Sequence, residues 1–409
     1  MPARIDPALL IAEADKCVLC GMCIPHCPTY SLVQNENESP RGRLVLGKAL
    51  LSGLVTENEN LLEHIDHCLL CRNCENNCPS GVKFGAFMDG LRSSLTHSKK
   101  SEHDFVKVLT DPQHRKSLNK QLWLGQKSGV LSLGKAVLGN SHKRIINSLP
   151  TVQRFQQLDK HYPADGTEQS RIMLFTGCNS ELLGNSLVLT AIKLLTRLGI
   201  SVDIPEQQEC CGGLSRHHGD ANKAAELEEK NIEAFSHQQN IPILTLASGC
   251  GASLLDYHSL NNGNALAGSF ASRVTDINHF LVQHLETRQA AFRQLDKKVV
   301  LHTPCSLKNV MHQDMAIATL IKMVPGLTLS NINGQRGCCG AAGTYMYEQP
   351  DFADRLRDPV IADLAKQQAD ILVTTNIGCA MHIQAGLKLA GIKLEILHPV
   401  ELLERQLPD

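Results

Sequence analysis

Two stretches of the chain each place four cysteines within a dozen residues. Residues 17–28 read CVLCGMCIPHCP and residues 68–79 read CLLCRNCENNCP, each C-x2-C-x2-C-x3-C followed by proline. Thiolates are soft ligands that bind zinc or iron–sulfur cores. Three of them at intervals of two residues can wrap one face of a compact cluster. Structural zinc is the plain alternative, but its sites use two separated pairs. Two full copies of this run, each with its trailing proline, point to [4Fe–4S] clusters and one-electron chemistry. The proline is expected to break any following helix and turn the fourth cysteine away from the first three.

This run is the one used by bacterial two-cluster ferredoxins, in which the fourth cysteine ligates the other cluster. Crossed ligation assigns Cys17, Cys20, Cys23 and Cys78 to one cluster and Cys27, Cys68, Cys71 and Cys74 to the other. Between the motifs, PRGRLVLGKALLSG and ENLLEHIDHC read as two helices packed between the clusters. Arg41 and Arg43 would sit near a cluster and tune its potential, or else form a salt bridge at the helix start.

Eight further cysteines form a second set: Cys178, Cys210, Cys211, Cys250, Cys305, Cys338, Cys339 and Cys379. They belong to an internal repeat. Cys178, Cys210 and Cys250 recur as Cys305, Cys338 and Cys379 at offsets of 127, 128 and 129. RIMLFTGC matches KVVLHTPC, ECCGG matches GCCGA, and ILTLASGC matches ILVTTNIGC. The first and last of these pairs are short apolar runs ending at cysteine, the pattern of buried strands. Amphipathic stretches at 186–199 and 351–367 read as helices, and DINHFLVQHL and ILHPVELLERQL close the two halves. Alternation of strand and helix implies a duplicated α/β unit with a mostly parallel sheet. Cysteines at strand ends would then converge on one sheet edge. Adjacent cysteines can present two thiolates to one metal, and the following glycine allows a tight turn. Four thiols per repeat suffice for a four-thiolate cluster or a reactive dithiol; a structural remnant is the bland reading. His302, His382 and His398 lie near these motifs, as do His217 and His218. A lone histidine is more often a core or surface residue than a ligand.

The elements that position these residues come from a chain of 409 residues, long enough for two to four domains. A hydrophobic content of 43% and a charged content of 20% are those of an ordinary globular protein. A net charge of −1 and 4% aromatics argue against a nucleic-acid partner. No apolar run reaches the roughly 18–20 residues of a membrane span, and the N-terminus lacks a signal-peptide pattern. Sixteen cysteines without an export signal indicate metal or redox work in a reducing cytoplasm. The expected fold class is α+β/α/β: a helical two-cluster domain over 1–95, a helical connector over 96–170, and two α/β units over 171–292 and 293–409 with mostly parallel sheets. The chain carries no GxGxxG, P-loop or Ser–His–Asp string in motif context, so a flavin and its dehydrogenation chemistry must come from another chain.

The order of these parts resembles a family of iron–sulfur proteins with duplicated CCG domains. That family includes components of heterodisulfide reductase, the iron–sulfur component of anaerobic glycerol-3-phosphate dehydrogenase, and the lactate and glycolate oxidation proteins. The strings PRGR at 40–43, CRNCENNCPSGV at 71–82, ASGCGA at 247–252, CCGAAGTY at 338–345 and NIGC at 376–379 are most similar to glycolate oxidase iron–sulfur subunits. The resemblance covers nearly the whole chain and is weakest around 100–165. It implies two [4Fe–4S] clusters, further iron–sulfur in the CCG region, and FAD-binding glycolate oxidase subunits as partners. It also implies delivery of electrons to a quinone or another acceptor, with the complex peripheral on the cytoplasmic face of the inner membrane. Lactate or glycerol-3-phosphate dehydrogenation is an alternative, as is a CCG region that itself reduces a disulfide or quinone. One departure bears on the last. Heterodisulfide reductase uses a terminal CxxC pair, whereas Ser253 and His382 stand at the second position here. Neither repeat can supply five thiolates.

Overall fold

The structure, a computed structural model, describes residues 6–95, 106, 109–131, 139–238, 240–260, 264–286, 291–333 and 337–408. The remaining parts of the expected connector lie outside the described residues.

The N-terminal part is helical. Helices Pro7–Asp15, Pro28–Val33, Pro40–Leu51, Glu59–Asp66 and Phe84–Ser94 surround the two cysteine runs. Ser39 caps the PRGR helix by accepting from the Gly42 amide at 3.0 Å, and Pro40 takes the N1 position, where no amide hydrogen is needed. Gly47 lets this helix press onto the last one: a Cβ there would lie 2.7 Å from both Leu91 and Phe87. Ile65, Phe87, Met88 and Leu91 are fully buried beneath it. Pro28 does not act as expected from the sequence. It opens a helix at N1, with Cys27 as the capping residue, instead of breaking one.

Helices Pro112–Lys127 and Asn140–Ser148 follow, and the chain then enters the duplicated region. The first sheet holds β1 (His161–Tyr162), β2 (Ser170–Phe175), β3 (Ile200–Asp203), β4 (Ile243–Thr245) and β5 (Val274–Asp276), in the order β1-β3-β2-β4-β5. The second holds β6 (Lys298–Leu301), β7 (Thr328–Asn331), β8 (Ile371–Val373) and β9 (Glu395–Leu397), in the order β7-β6-β8-β9. All pairs are parallel except β1 with β3. The order β3-β2-β4-β5 thus repeats as β7-β6-β8-β9, and the fold is the duplicated α/β arrangement expected. The amino-acid pattern pointed only to the strands that lead into cysteines. It did not reveal β1, the β3/β7 pair, or the edge strands β5 and β9.

The two repeats share a core. Helix Ser186–Arg197, which leads into β3 of repeat one, packs on Pro399–Gln406, the last helix of repeat two. Helix Ile277–Glu286, the last of repeat one, packs on Met315–Lys322, which leads into β7 of repeat two. The same pairing of equivalent helices in both directions is the pattern of a two-fold interface, here within one chain. Leu194, Leu281, Leu320 and Leu403 are all fully buried in this seam. Each contributes roughly 1.5–3 kcal/mol, so the repeats fix one another's orientation.

Candidate iron–sulfur centres

The helices around the N-terminal runs leave two small cavities. One, of about 30 Å³, is lined by Cys17, Cys20, Cys23, Cys74 and Cys78, together with Arg41. The other, of about 20 Å³, is lined by Cys27, Cys68, Cys71 and Cys74, together with Arg43 and Phe84. The fourth cysteine of each run therefore sits with the three of the other run. Matching left-handed residues shape the loops: Leu19 (φ 58°) and Gly21 (φ 82°) in one, Leu70 (φ 51°) and Arg72 (φ 57°) in the other. Alternation of left- and right-handed residues turns backbone N–H groups inward, an anion-accepting concavity. Three of these residues are not glycine and bear a strain of roughly 1–2 kcal/mol each, which local packing must offset.

The donor sets fit a polynuclear iron–sulfur group. All sixteen cysteines are free of disulfides. Burial pushes the Cys71 and Cys74 thiols well above their usual range, and neighbouring sulfurs add to the shift. Thiolates gathered in a dry site need a bound cationic core to offset their mutual repulsion.

Both arginines of PRGR lie against these sites. Arg41 pairs with Glu36 and donates to the Leu19 carbonyl at 3.0 Å. Arg43 is buried, pairs with Glu38, and donates to the His64 carbonyl at 2.7 Å and Thr29 Oγ1 at 3.1 Å; its Nη1 is 3.9 Å from Cys27 Sγ. Glu38 also meets His64 Nδ1 at 2.6 Å and His67 Nδ1 at 2.7 Å. Burial opposes its ionisation, but the His67 bond and the Arg43 charge outweigh that and hold the carboxyl below its usual range. The three donor atoms of Glu38, His64 and His67 have the spacing of a metal site. The Arg43 guanidinium already neutralises the Glu38 carboxylate. Arg43 thus forms the ion pair and also lines the cavity of the second cysteine set.

In the duplicated region each cysteine follows a strand. Cys178 lies in the helix after β2, Cys210 and Cys211 follow β3, and Cys250 lies in the helix after β4. Cys305, Cys338, Cys339 and Cys379 hold the same places after β6, β7 and β8. Asn376 sets the last of these by capping its helix, accepting from the Gly378 amide at 3.0 Å and the Cys379 amide at 3.3 Å. Within the first tetrad, hydrogen bonding from Cys210 and then Cys250 holds the Cys211 thiol well below its usual range, with Ser253 assisting. Bonding to Cys210 likewise lowers Cys178. In the second tetrad Cys339 Sγ is 2.9 Å from Cys379 Sγ. The Cys305 thiol is raised by its bond to Cys338 and by burial, and Cys379 also ends raised: its bond to Cys339 lowers it, but burial prevails.

Both tetrads line a single chamber of about 1000 Å³. Its walls also include Cys68, Leu69 and Leu70 of the second N-terminal run, and Leu118, Leu122, Ile145 and Leu149 of the connector helices. The connector is therefore part of the site. The second run is joined directly to repeat two, where the turn Leu307–Met311 widens to π-helical geometry just after Cys305. Asn309 Nδ2 donates to the Cys71 carbonyl at 2.7 Å, and Asn76 Nδ2 donates to the Asn309 carbonyl at 3.1 Å. Cys71 and Cys305 pack against the same buried group as Cys338, Cys339 and Cys379. Arg72 makes a bidentate pair with Asp256 of repeat one at 2.8 and 2.9 Å. His67 stacks on Phe352 of repeat two at 4.1 Å.

The histidines separate. His382, which stands at the missing cysteine position, donates elsewhere: its Nε2 meets the Ala353 carbonyl at 3.1 Å. His398 caps the final helix, accepting from the Val400 amide at 3.2 Å. His217 pairs with Asp89 at 2.9 Å and His218 meets Thr344 Oγ1 at 2.6 Å, both at the chamber wall. His302 alone of the three near-motif histidines lies among the sulfurs, with Cys339 and Cys379. Asn309, Glu38 and Asp256 carry no motif, and sequence reasoning did not find them.

Fold and cysteine geometry together define an iron–sulfur protein of two parts. Residues 13–82 match the family described as a 4Fe-4S dicluster domain, and residues 172–255 and 299–384 each match the Cysteine-rich domain. The chain is 30% identical to the probable glycolate oxidase iron-sulfur subunit of Bacillus subtilis (strain 168), over 96% of this chain and 93% of that protein. It is 31% identical to the glycolate oxidase iron-sulfur subunit of Escherichia coli (strain K12), over 97% and 95%. It is also 26% identical to lactate utilization protein A of Anoxybacillus flavithermus (strain DSM 21510 / WK1), over 58% of this chain and 99% of that protein. The chain belongs to the family of glycolate oxidase iron–sulfur subunits, and its role is iron–sulfur electron transfer within an oxidoreductase complex. Among the described residues no helix is long and apolar enough to cross a membrane.

Proposed function

We propose that the chain relays electrons from a flavin on a partner protein, where glycolate is oxidised to glyoxylate, to a quinone or another acceptor. The observation that carries this reading is the junction at Cys71, whose loop is hydrogen-bonded to Asn309 and packed beside Cys305. It makes the cysteine sets a continuous series, from exposed Cys20 through the buried second set to the CCG chamber.

In this reading Cys17, Cys20, Cys23 and Cys78 hold one [4Fe–4S] group, and Cys27, Cys68, Cys71 and Cys74 hold a second. The two CCG tetrads hold further iron. Such groups supply reversible one-electron storage. The chain's own part is to fix their spacing, exclude water and set local charge. Arg43 places a buried positive charge beside Cys27, which favours the reduced state of that site. In this reading the domains would span 1–95, 96–170, 171–292 and 293–409. The complex would be peripheral on the cytoplasmic face of the inner membrane, held there by its partners.

The test is substrate profiling of the complex purified with its flavoprotein. Glycolate should develop the reduced iron–sulfur EPR signals, and lactate and glycerol 3-phosphate should not. Turnover of lactate without glycolate overturns the choice of substrate. The shared chamber favours one second reading, that the acceptor is reduced in the CCG region. Cys338→Ser with Cys339→Ser would then abolish acceptor reduction while flavin still reduces the N-terminal sites.

A further inference from the structure

The two tetrads are unequal at one strand position. Residues 174–178 read LFTGC and residues 301–305 read LHTPC, so Phe175 at the end of β2 and His302 just past the end of β6 occupy equivalent places. In repeat one the aromatic ring borders the sulfurs: a Cβ on Gly177 would meet Phe175 Cε1 at 3.5 Å and Cys250 Sγ at 3.7 Å. In repeat two an imidazole takes that place. His302, Cys339 and Cys379 bring one ligand atom each within 4.8 Å of the others.

His302 is fully buried. Its Nδ1 lies 2.9 Å from Thr374 Oγ1. Its Nε2 has no hydrogen-bond partner among the described residues. Buried polar atoms are nearly always paired, and an exception requires a reason. A proton on Nδ1, directed at Thr374, leaves the Nε2 lone pair free to serve as a ligand. This is how protein imidazoles are held for metal binding, with the second nitrogen fixed by an outer partner.

We propose that His302 Nε2 is a nitrogen ligand of an iron–sulfur centre in repeat two, completing a donor set with Cys339, Cys379 and their neighbours Cys305 and Cys338. Repeat one, with Phe175, builds an all-thiolate site. The inference rests on the reading that the CCG tetrads hold iron. The neutral imidazole adds a fifth donor to the four thiolates without adding negative charge, so the duplicated region would contain two unlike centres that differ in their coordination.

The experiment uses the full chain with its partners, purified anaerobically from cells fed 15N-histidine, reduced, and examined by pulsed EPR alongside iron analysis. The expected result is iron above the roughly eight atoms of two [4Fe–4S] groups. A strong nitrogen coupling should also change from the 14N to the 15N pattern with the label. His302→Phe, which copies repeat one, should abolish the coupling. His302→Cys should abolish it and lower the potential of that centre. Excess iron without a label-sensitive coupling overturns the role of His302 alone. Iron of only about eight atoms per chain overturns the underlying reading, and the inference with it. The labelled parent protein decides the matter even where a variant fails to fold.

Discussion

Asn309 and Cys71, 238 residues apart, are joined by a 2.7 Å hydrogen bond from the side-chain amide to the backbone carbonyl. The bond ties the second N-terminal cysteine loop to the turn that follows Cys305. Asn309→Ala should cost about 1–2 kcal/mol and loosen this junction with iron content unchanged. Asn309→Asp should be worse, because a carboxylate cannot donate to a carbonyl. Rapid-mixing EPR should show slower reduction of the CCG region after the N-terminal signals appear. Unaltered rates in both variants would remove this contact from the electron path.

The crossing of the cysteine sets predicts which signal each loss removes. Cys78→Ser should abolish the centre that contains Cys17, Cys20 and Cys23, although these lie far earlier in the chain. Cys27→Ser should abolish the other. Each variant should lose about four irons if the cubane fails to form. Loss of the centre nearest in sequence would mean that ligation is not crossed.

Arg43 and Glu38 form a buried ion pair. Arg43→Met leaves the carboxylate without its cation and should cost about 3–5 kcal/mol. The double variant with Glu38→Leu should recover much of that loss in denaturant titrations. Arg43→Lys keeps the charge but not the fork that reaches Glu38 and the His64 carbonyl. It should therefore preserve the potential of the Cys27 site better than the stability, whereas Arg43→Met should lower that potential.

His398 predicts an acid-sensitive step. Burial pushes its imidazole down to about 3, against about 6.5 when unfolded. Its contribution to stability is therefore complete above about pH 6.5 and is lost progressively as the pH falls toward about 3, because the unfolded chain takes up the proton more readily. The loss between about pH 7.5 and about pH 5 should be about 2 kcal/mol. His398→Asn keeps a good cap without the titration. Denaturant midpoints across this range should flatten in the variant, and an equal slope in both proteins would assign the effect elsewhere.

The N-terminal site was legible because three of the cysteines lining each cavity are local and their spacing is itself the geometry, while the fourth comes from the other run. The repeat was legible because apolar strands such as RIMLF and KVVL run directly into cysteine. β7 was not, since TLSN is partly exposed on both faces and shows no alternation. β5 and β9 have three residues each, too few for any period. The partner of His382 was not legible, because its register in the repeat places it where a thiol is missing, whereas the Ala353 carbonyl on a neighbouring helix pairs with its ring. His302 differs from Phe175 by one letter in a matched strand, and only three-dimensional proximity to Cys339 gives that letter meaning. Asn309 has no local signature at all, because its partner lies in the distant N-terminal part of the chain.

The closure of the second N-terminal run under the repeats also sets an order of events in the life of the chain. Cys27, Cys68 and Cys74 are buried, and the Arg72–Asp256 pair, the Asn309–Cys71 bond and the His67–Phe352 stack together clamp their loop shut. With the ligation proposed above, iron and sulfide would reach that loop while the helical part and the duplicated part are still apart. Maturation would then precede final docking, and a molecule that closed too early would be sealed without its cargo.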